Sequence, residues 1–98
     1  MIKIYQIDST KDTKHVKFMS FDWIKEFDFS IYKEVWSGEL EYSSLDDIFR
    51  FFNLEHPSDF KGHSLSISDI VQIVDTYNNR PDGYYFCDSF GWKQINIK

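Results

Sequence analysis

The sequence predicts an α+β fold: a small antiparallel sheet of about five strands with two short helices packed on one face. Three observations lead to this class. The chain of 98 residues begins with a short β-rich segment, carries an amphipathic helical segment near its middle, and ends in aromatic and β-branched segments separated by turn residues. A chain of this length forms one domain, which we assign to residues 1–98.

The first half of the chain is predicted to contribute two strands and one helix. Ile2–Ile7 alternates in side-chain character and is rich in β-branched residues, as a strand is. After a polar loop, Val16–Met19 is a candidate for a short strand. Capping residues then precede Trp23–Phe27, a predicted helix of about two turns. Tyr32–Tyr42 is predicted to be a strand with a bulge or bend at Gly38.

The second half of the chain begins with the clearest helix. Ser44 is a suitable N-cap, and Asp46 and Asp47 place negative charge near the positive end of the helix dipole. An apolar stripe follows at helical spacing: Leu45, Ile48, Phe49 and Phe52. The helix must end before Pro57, because proline cannot continue it.

Three more strands are predicted after this helix. The serines of Ser64–Ser68 alternate with apolar residues, which indicates a half-buried strand. The segment Ile70–Thr76 also has apolar residues at helical spacing, but its β-branched content favours a strand. Turn residues at Asn78–Gly83 then make a hairpin of this strand and Tyr84–Asp88. Trp92–Ile97 is the last predicted strand.

Charge and composition exclude several classes of function. The formal net charge of −5 argues against direct nucleic-acid binding, which needs a basic surface to displace counterions from phosphates. Cys87 is the only cysteine, so no internal disulfide forms, and a reducing compartment is indicated. No apolar run approaches the ~18 residues of a membrane span, and the first residues do not resemble a signal peptide. We therefore expect a cytoplasmic protein.

One chemical alternative is a thiol–imidazole pair. Cys87 would pair with His63 or His56, and Asp69 or Asp88 would orient the ring. The opposing interpretation is a structural cysteine, because Cys87 lies in an aromatic strand where a free thiol behaves as a small apolar side chain. We favour the structural interpretation.

A metal site is a second chemical alternative. His56, His63 and Asp59 are the available ligands, but they lack the spacing of known metal-binding motifs. The serines of Ser64–Ser68 are not surrounded by the glycines of a nucleophile elbow. The sequence therefore predicts no enzyme activity, no cofactor and no bound metal.

Two kinds of residue are candidates for partner binding, acidic and aromatic ones. They are Glu34, Trp36, Glu39, Glu41, Asp46, Asp47, Tyr85 and Trp92, and the wider aromatic set also includes Trp23, Tyr42 and Tyr84. If the second strand lies at a sheet edge, its carboxylates form a negative patch that suits a basic groove on a partner. Residue by residue, ordinary solvation and edge-strand protection are favoured over binding for the acidic residues, and core packing is favoured over binding for the aromatic ones.

Much of the chain resembles the YodL-like domain family, small domains of Firmicutes and other bacteria. The resemblance is carried by Leu45–Asn53, His56–Val71 and Gly83–Trp92, and the opening IKIYQI and FMSFDWI segments stand where the family has its first strand and helix. Such domains occur alone or attached to antirestriction-type modules on conjugative elements and phages. Some are linked to disturbance of the actin-like rod-shape cytoskeleton. The resemblance implies an interaction protein and no catalytic activity.

We therefore expect a phage or mobile-element protein that binds a host protein and inhibits or modulates it. The expected target is a defence nuclease of the restriction or CRISPR type, because an acidic inhibitor suits a basic nucleic-acid groove. One alternative is a modulator of the actin-like rod-shape cytoskeleton, and another is a thiol- or metal-dependent enzyme that uses Cys87 and His63. A structural domain that self-associates is a further possibility, and the sequence leaves the oligomeric state open.

Overall fold

The fold is built on one antiparallel sheet. The computed structural model describes residues 1–24, 26–39, 44–55, 57–74 and 83–97. Its strands are β1 (Ile2–Ile7), β2 (Tyr32–Gly38), β3 (Ile70–Ile73), β4 (Gly83–Asp88) and β5 (Gly91–Ile95). They form a 5-stranded sheet in the order β2-β1-β3-β4-β5. The described residues also contain one helix, α1 (Leu45–Leu54), and two 3-10 turns, Phe21–Trp23 and Phe29–Ile31.

The predicted strands at both ends of the chain are confirmed. β1 has the predicted bounds and pairs antiparallel with β2 on one side and β3 on the other. The ambiguous segment that begins at Ile70 is a strand, as its β-branched residues predicted, and Ile70 and Val71 are fully buried. The strand is central in the sheet, and its two faces lie in separate apolar clusters, with Val71 in one and Ile70 in the other, so neither face is exposed.

The bulge in β2 lies at Val35, whereas the sequence predicted it at Gly38. Consecutive residues of β1 pair with Glu34 and Trp36, which leaves Val35 as the extra residue. Because of this insertion, Val35 and Trp36 are neighbours in sequence and are both buried. Gly38 ends the strand instead, and a Cβ there would lie 2.8 Å from the Trp36 ring.

Helix α1 covers one face of the sheet. Ser44 caps it as predicted, accepting a hydrogen bond from the Asp47 N–H at 3.2 Å. The buried side chains of Ile48 and Phe52 pack against apolar residues of four strands: Ile2, Ile4, Val35, Trp36, Val71, Ile73 and Tyr85. Leu45 and Phe49 join this contact, so the predicted apolar stripe is the core face of the helix.

The opposite face of the sheet is covered by aromatic loops, and here the predicted second helix is wrong. In place of a helix that begins at Trp23, the chain makes the short turn Phe21–Trp23, and Ile24 after it has an extended conformation. Lys25, within the predicted helix, lies outside the described residues. The rings of Phe21 and Phe27 both lie edge-on to Phe86, with centroids 5.1 and 6.4 Å away. A helix of two turns would be marginally stable by itself, and in its place both rings pack against Phe86 of the sheet.

Two short predicted strands are also wrong. Val16–Met19 forms a turn closed by a hydrogen bond from the Met19 N–H to the Val16 carbonyl. Ser64–Ser68 lies outside the sheet although Leu65 is buried, because Ser68 has φ of 85° and turns the chain into β3. The predicted turn at 78–82 and the continuation of the second predicted strand over 40–42 lie outside the described residues. No helix within the described ranges has the length and apolar character needed to cross a membrane.

Replacement of Phe52 tests the packing of α1. Phe52 is fully buried, and its ring lies edge-on to Trp36 at 5.1 Å and to Phe60 at 5.0 Å. We expect Phe52→Ala to lower the free energy of unfolding by about 3–5 kcal/mol, because it leaves a cavity.

Leu54→Ala on the same helix is the matched control. Leu54 is 74% exposed, so its loss should change stability by no more than about 0.5 kcal/mol. Urea unfolding of both variants measures the difference. Equal stability of the two variants would contradict this packing.

Candidate functional site

A buried amide, Gln6, joins three segments of the chain at the end of β1. Its Nε2 donates to the His63 carbonyl at 2.8 Å and to Asp69 Oδ2 at 3.0 Å. Its Oε1 accepts the His63 N–H at 3.1 Å. A Cβ on Gly62 would overlap this oxygen, so the loop approaches closely because residue 62 is glycine. We call Gln6, His63, Ser66, Ser68 and Asp69 the Gln6 cluster.

A tight turn in this cluster leads into β3. The Asp69 N–H donates to the Ser66 carbonyl at 3.1 Å, and Asp69 Oδ2 accepts the Ser66 N–H at 2.8 Å. Opposite the turn, Cys87 accepts a hydrogen bond from the Ser68 N–H and donates one to the Asp69 carbonyl. Two residues therefore face one, which is a bulge whose first position, with positive φ, is usually glycine.

Hydrogen bonds to neighbouring residues hold Ser68 in its positive-φ conformation. It is fully buried, its Oγ accepts the Phe18 N–H at 2.9 Å, and its carbonyl accepts the Tyr32 hydroxyl at 2.6 Å. Phe18 also has positive φ, 67°, a conformation that is rare for a bulky residue. Each such residue costs about 1–3 kcal/mol and persists only where surrounding interactions offset that cost. The cluster therefore fixes the Phe18 loop in one geometry.

The acid of the cluster, Asp69, has a raised pKa. It is fully buried, and burial raises its pKa to about 7, although hydrogen bonds from the Ser66 N–H and Gln6 act in the opposite direction. Asp69 Oδ1 and the Nε2 of His63 are buried without a hydrogen-bond partner. An acid enclosed in this way cannot contact a substrate, so its protonation affects folding instead.

The geometry gives no support to a thiol–imidazole pair of Cys87 with His63, and His56, the other imidazole considered, lies outside the described residues. Burial, the largest cause, together with the negative charge of Asp69, raises the pKa of the Cys87 thiol to about 12, so the thiol stays protonated at neutral pH. The described hydrogen bonds of His63 go to Gln6 and the Ser64 carbonyl, and none goes to Cys87.

The metal site considered from the sequence has no support among the residues that the structure describes. They contain no group of three His, Cys, Asp or Glu residues placed to hold a metal ion. Asp59 instead accepts a hydrogen bond from the Trp36 indole at 2.9 Å. His56 lies outside the described residues.

The acidic candidates of β2 have partners within the chain. Glu34 Oε1 lies 3.6 Å from Lys3 Nζ, and Glu39 Oε2 lies 3.3 Å from the Met1 amino nitrogen. Exposed pairs of this kind contribute about 0–1 kcal/mol, so both carboxylates can exchange these contacts for others. Glu41 lies outside the described residues.

The aromatic candidates lie mainly in or against the core. Trp36 is buried, and Tyr85 and Trp92 are half-buried on the face that α1 covers. The Trp92 indole donates to Asp46 Oδ1 at 3.2 Å. The structure therefore brings Asp46 and Trp92 together and uses Trp36 as a core residue.

Sequence reasoning included Trp23 among its aromatic candidates but missed two other exposed rings, Phe18 and Phe90. In the described part of the chain these three are the exposed aromatic residues, at 56% for Phe18, 76% for Trp23 and 101% for Phe90, and we call them the aromatic end. The loops that carry it are hydrogen-bonded to each other: Ser20 Oγ lies 2.8 Å from Ser89 Oγ, and Asp88 Oδ1 accepts the Phe21 N–H at 3.2 Å. The available signal was a phenylalanine in the turn between the last two strands, where polar residues are usual.

Asp69→Asn tests the buried acid. In the unfolded chain an aspartic acid loses its proton near pH 4, whereas folded Asp69 keeps it up to about pH 7. The contribution of Asp69 to stability is therefore greatest below about pH 4 and is lost as the pH rises toward 7, by about 1.4 kcal/mol per unit.

Urea unfolding of both proteins between about pH 5 and pH 8 measures this effect. We expect the stability of Asp69→Asn relative to the original chain to rise with pH, because the amide still accepts hydrogen bonds but never ionises. A pH-independent difference between the two proteins would contradict the assignment.

The reactivity of Cys87 tests the thiol. Because it is buried and protonated, we expect iodoacetamide at neutral pH to modify the folded protein at least about 100-fold more slowly than the urea-unfolded chain. Mass spectrometry follows the reaction. Equal rates would show an accessible thiolate and revive the enzyme alternative.

Comparison with known proteins agrees with the sequence resemblance. A search of curated proteins found no significant match. A search of solved structures also found none. The family model described as YodL-like domain, however, matches residues 1–97, essentially the whole chain. The chain belongs to the YodL-like domain family.

Proposed function

We propose that this domain is a non-catalytic protein-binding modulator that docks on a host protein through its aromatic end. One observation carries the proposal: Phe18, Trp23 and Phe90 expose large aromatic rings on neighbouring loops. Burying such rings in a partner supplies much of the energy of protein interfaces. Leaving them in water has no benefit for an isolated domain.

The loops that carry the aromatic end are anchored by hydrogen bonds, which supports a binding role. Phe18 is fixed by its hydrogen bond to Ser68, and Phe21 by its hydrogen bond to Asp88. The ring of Phe18 lies 5.5 Å from that of His63, at the border of the Gln6 cluster. A preorganised surface loses little conformational entropy on association, so more of the contact energy appears as affinity.

The buried polar groups support binding without catalysis. The thiol of Cys87 is buried and protonated, and the carboxyl of Asp69 is enclosed by the Gln6 cluster. Both side chains are buried, so neither is exposed to a substrate. The domain therefore offers contact area and shape rather than a reaction centre.

We propose a host defence nuclease of the restriction or CRISPR type as the target, and a phage or mobile element as the origin. The net charge of −5 supports a partner with a basic groove and not nucleic acid itself. Such a target implies action in the cytoplasm. The carboxylates of Glu34 and Glu39 are at the surface and are available to such a groove. Their ion pairs with Lys3 and the Met1 amino group are weak, so they can be exchanged for contacts with a partner.

Loss of the aromatic end tests the proposal. The tagged domain and a Trp23→Ala/Phe90→Ala variant are used to capture proteins from lysate of a Gram-positive host that carries a CRISPR–Cas system, with identification by mass spectrometry. We expect the original domain to capture a nuclease and the double variant to lose it, since each ring contributes about 2 kcal/mol.

Leu54→Ala is the matched control, because it removes an exposed apolar side chain of α1. It should retain the capture. Capture of the actin-like filament protein instead would move the assignment to cell shape, and unchanged capture by the double variant would exclude the aromatic end.

Salt separates the contributions of the two surfaces. A partner held by the acidic residues should dissociate in high salt, because exposed charges are screened. A partner held by aromatic burial should remain bound.

A further inference from the structure

The sheet has two edges, and they are built differently. β2 and β5 are the outer strands. The edge at β2 is interrupted by the bulge at Val35, and the Lys61 N–H donates to the Val35 carbonyl at 3.3 Å. A bulge and a covering loop are both means by which proteins prevent a sheet from pairing further.

Among the residues that the structure describes, the edge at β5 has neither feature. Its pairing with β4 runs without a register shift from Tyr84 opposite Ile95 to Asp88 opposite Gly91. Gly91 and Gln94 are exposed. β5 therefore offers a regular strand with one side open.

The register shows which backbone groups of β5 point away from the sheet. Cys87 uses its N–H and carbonyl toward the β3 side, on Asp69 and Ser68. Directions alternate along an antiparallel strand, so the residues of β4 that bond to β5 are the ones on either side of Cys87. Their partners are Lys93 and Gly91.

By the same alternation Ile95, which stands opposite Tyr84, also bonds to β4, so two residues of β5 face outward. They are Trp92 and Gln94, which together offer two N–H and two carbonyl groups on the open side. No other part of the chain that the structure describes hydrogen-bonds to these groups. This is the spacing that an added antiparallel strand requires.

Charge determines which strand suits this edge. Lys93 lies between the two outward-facing residues, is exposed, and has no ion pair with any residue that the structure describes. Its Nζ lies 5.2 Å from the centre of the Phe21 ring, so its position is partly fixed. A residue of an added strand that stands opposite Lys93 is best a carboxylate, because opposite charges across a strand pair attract.

A second copy of this chain suits the edge less well. If Trp92 of one copy paired with Gln94 of the other, and the reverse, the two Lys93 side chains would stand directly opposite each other. Like charges in that position destabilise a strand pair.

We infer that β5 accepts an extended segment of a partner protein, antiparallel to the strand and with an Asp or Glu opposite Lys93. The inference rests on the proposed protein-binding function and deepens it. Phe90, in the turn that begins β5, is part of the aromatic end. A segment that pairs with β5 therefore continues onto that surface.

Selection from a random-sequence peptide display library tests the inference on the immobilised, full-length domain. We expect enriched peptides to contain a carboxylate within an alternating β-type pattern. Gln94→Pro should lower their binding at least tenfold, because it removes an outward N–H at a position where an edge strand tolerates proline. Gln94→Ala keeps that N–H and should retain binding.

Charge reversal supplies a second variant whose effect does not depend on proline being accommodated. Lys93→Glu should abolish binding of the enriched peptides, and Lys93→Arg should retain it. Circular dichroism and thermal unfolding verify that each variant is folded.

Three results would overturn the inference: no enrichment, enriched peptides without a carboxylate, or equal binding by Lys93→Glu. Peptides that lose binding with Trp23→Ala/Phe90→Ala but not with Lys93→Glu would leave the proposed function in place and exclude the β5 edge. Concentration-dependent dimerisation that Lys93→Glu changes would make a second copy the occupant and would overturn the inference as well.

Discussion

The buried amide of Gln6 is the constraint on which the Gln6 cluster and the Phe18 loop depend. Its hydrogen bonds are complete only when the loop at His63 and the start of β3 at Asp69 are both in place. A buried amide without partners would cost about 1–3 kcal/mol, so alternative positions of these segments are penalised. The same turn positions Ser68, whose hydroxyl holds the backbone of Phe18. One side chain of the first strand thereby orders a surface loop that follows it.

The sequence predicted the fold correctly where the structure of a segment depends mainly on its own residues. β1 and α1 were predicted with their bounds nearly correct, because alternation, the Ser44 cap and the apolar stripe are local properties. The serine alternation at 64–68 failed because φ of 85° at Ser68 is imposed by partners distant in sequence. The second helix failed for a similar reason: Phe86 lies far along the chain from Phe21, and it determines where that ring packs.

The candidate site was harder to predict than the fold, since exposure is a property of the whole molecule. Phe18 and Phe21 are three positions apart in similar sequence surroundings, yet the first ring is exposed and the second packs on Phe86. Trp36 was a candidate for binding until the bulge at Val35 placed it in the core. Composition gives the number of aromatic rings but could not identify which of them remain outside the core.

The bulge at Val35 has a consequence for assembly. A sheet grows into a filament only if each unit can pair at both edges, so that every addition creates the edge for the next. Here the outer side of β2 is interrupted and covered by Lys61. If a strand pairs with β5, no further strand can pair with β2 at the opposite edge of the sheet. Association through backbone pairing is thus self-limiting, which permits an exposed strand in a small aromatic-rich protein without open-ended aggregation.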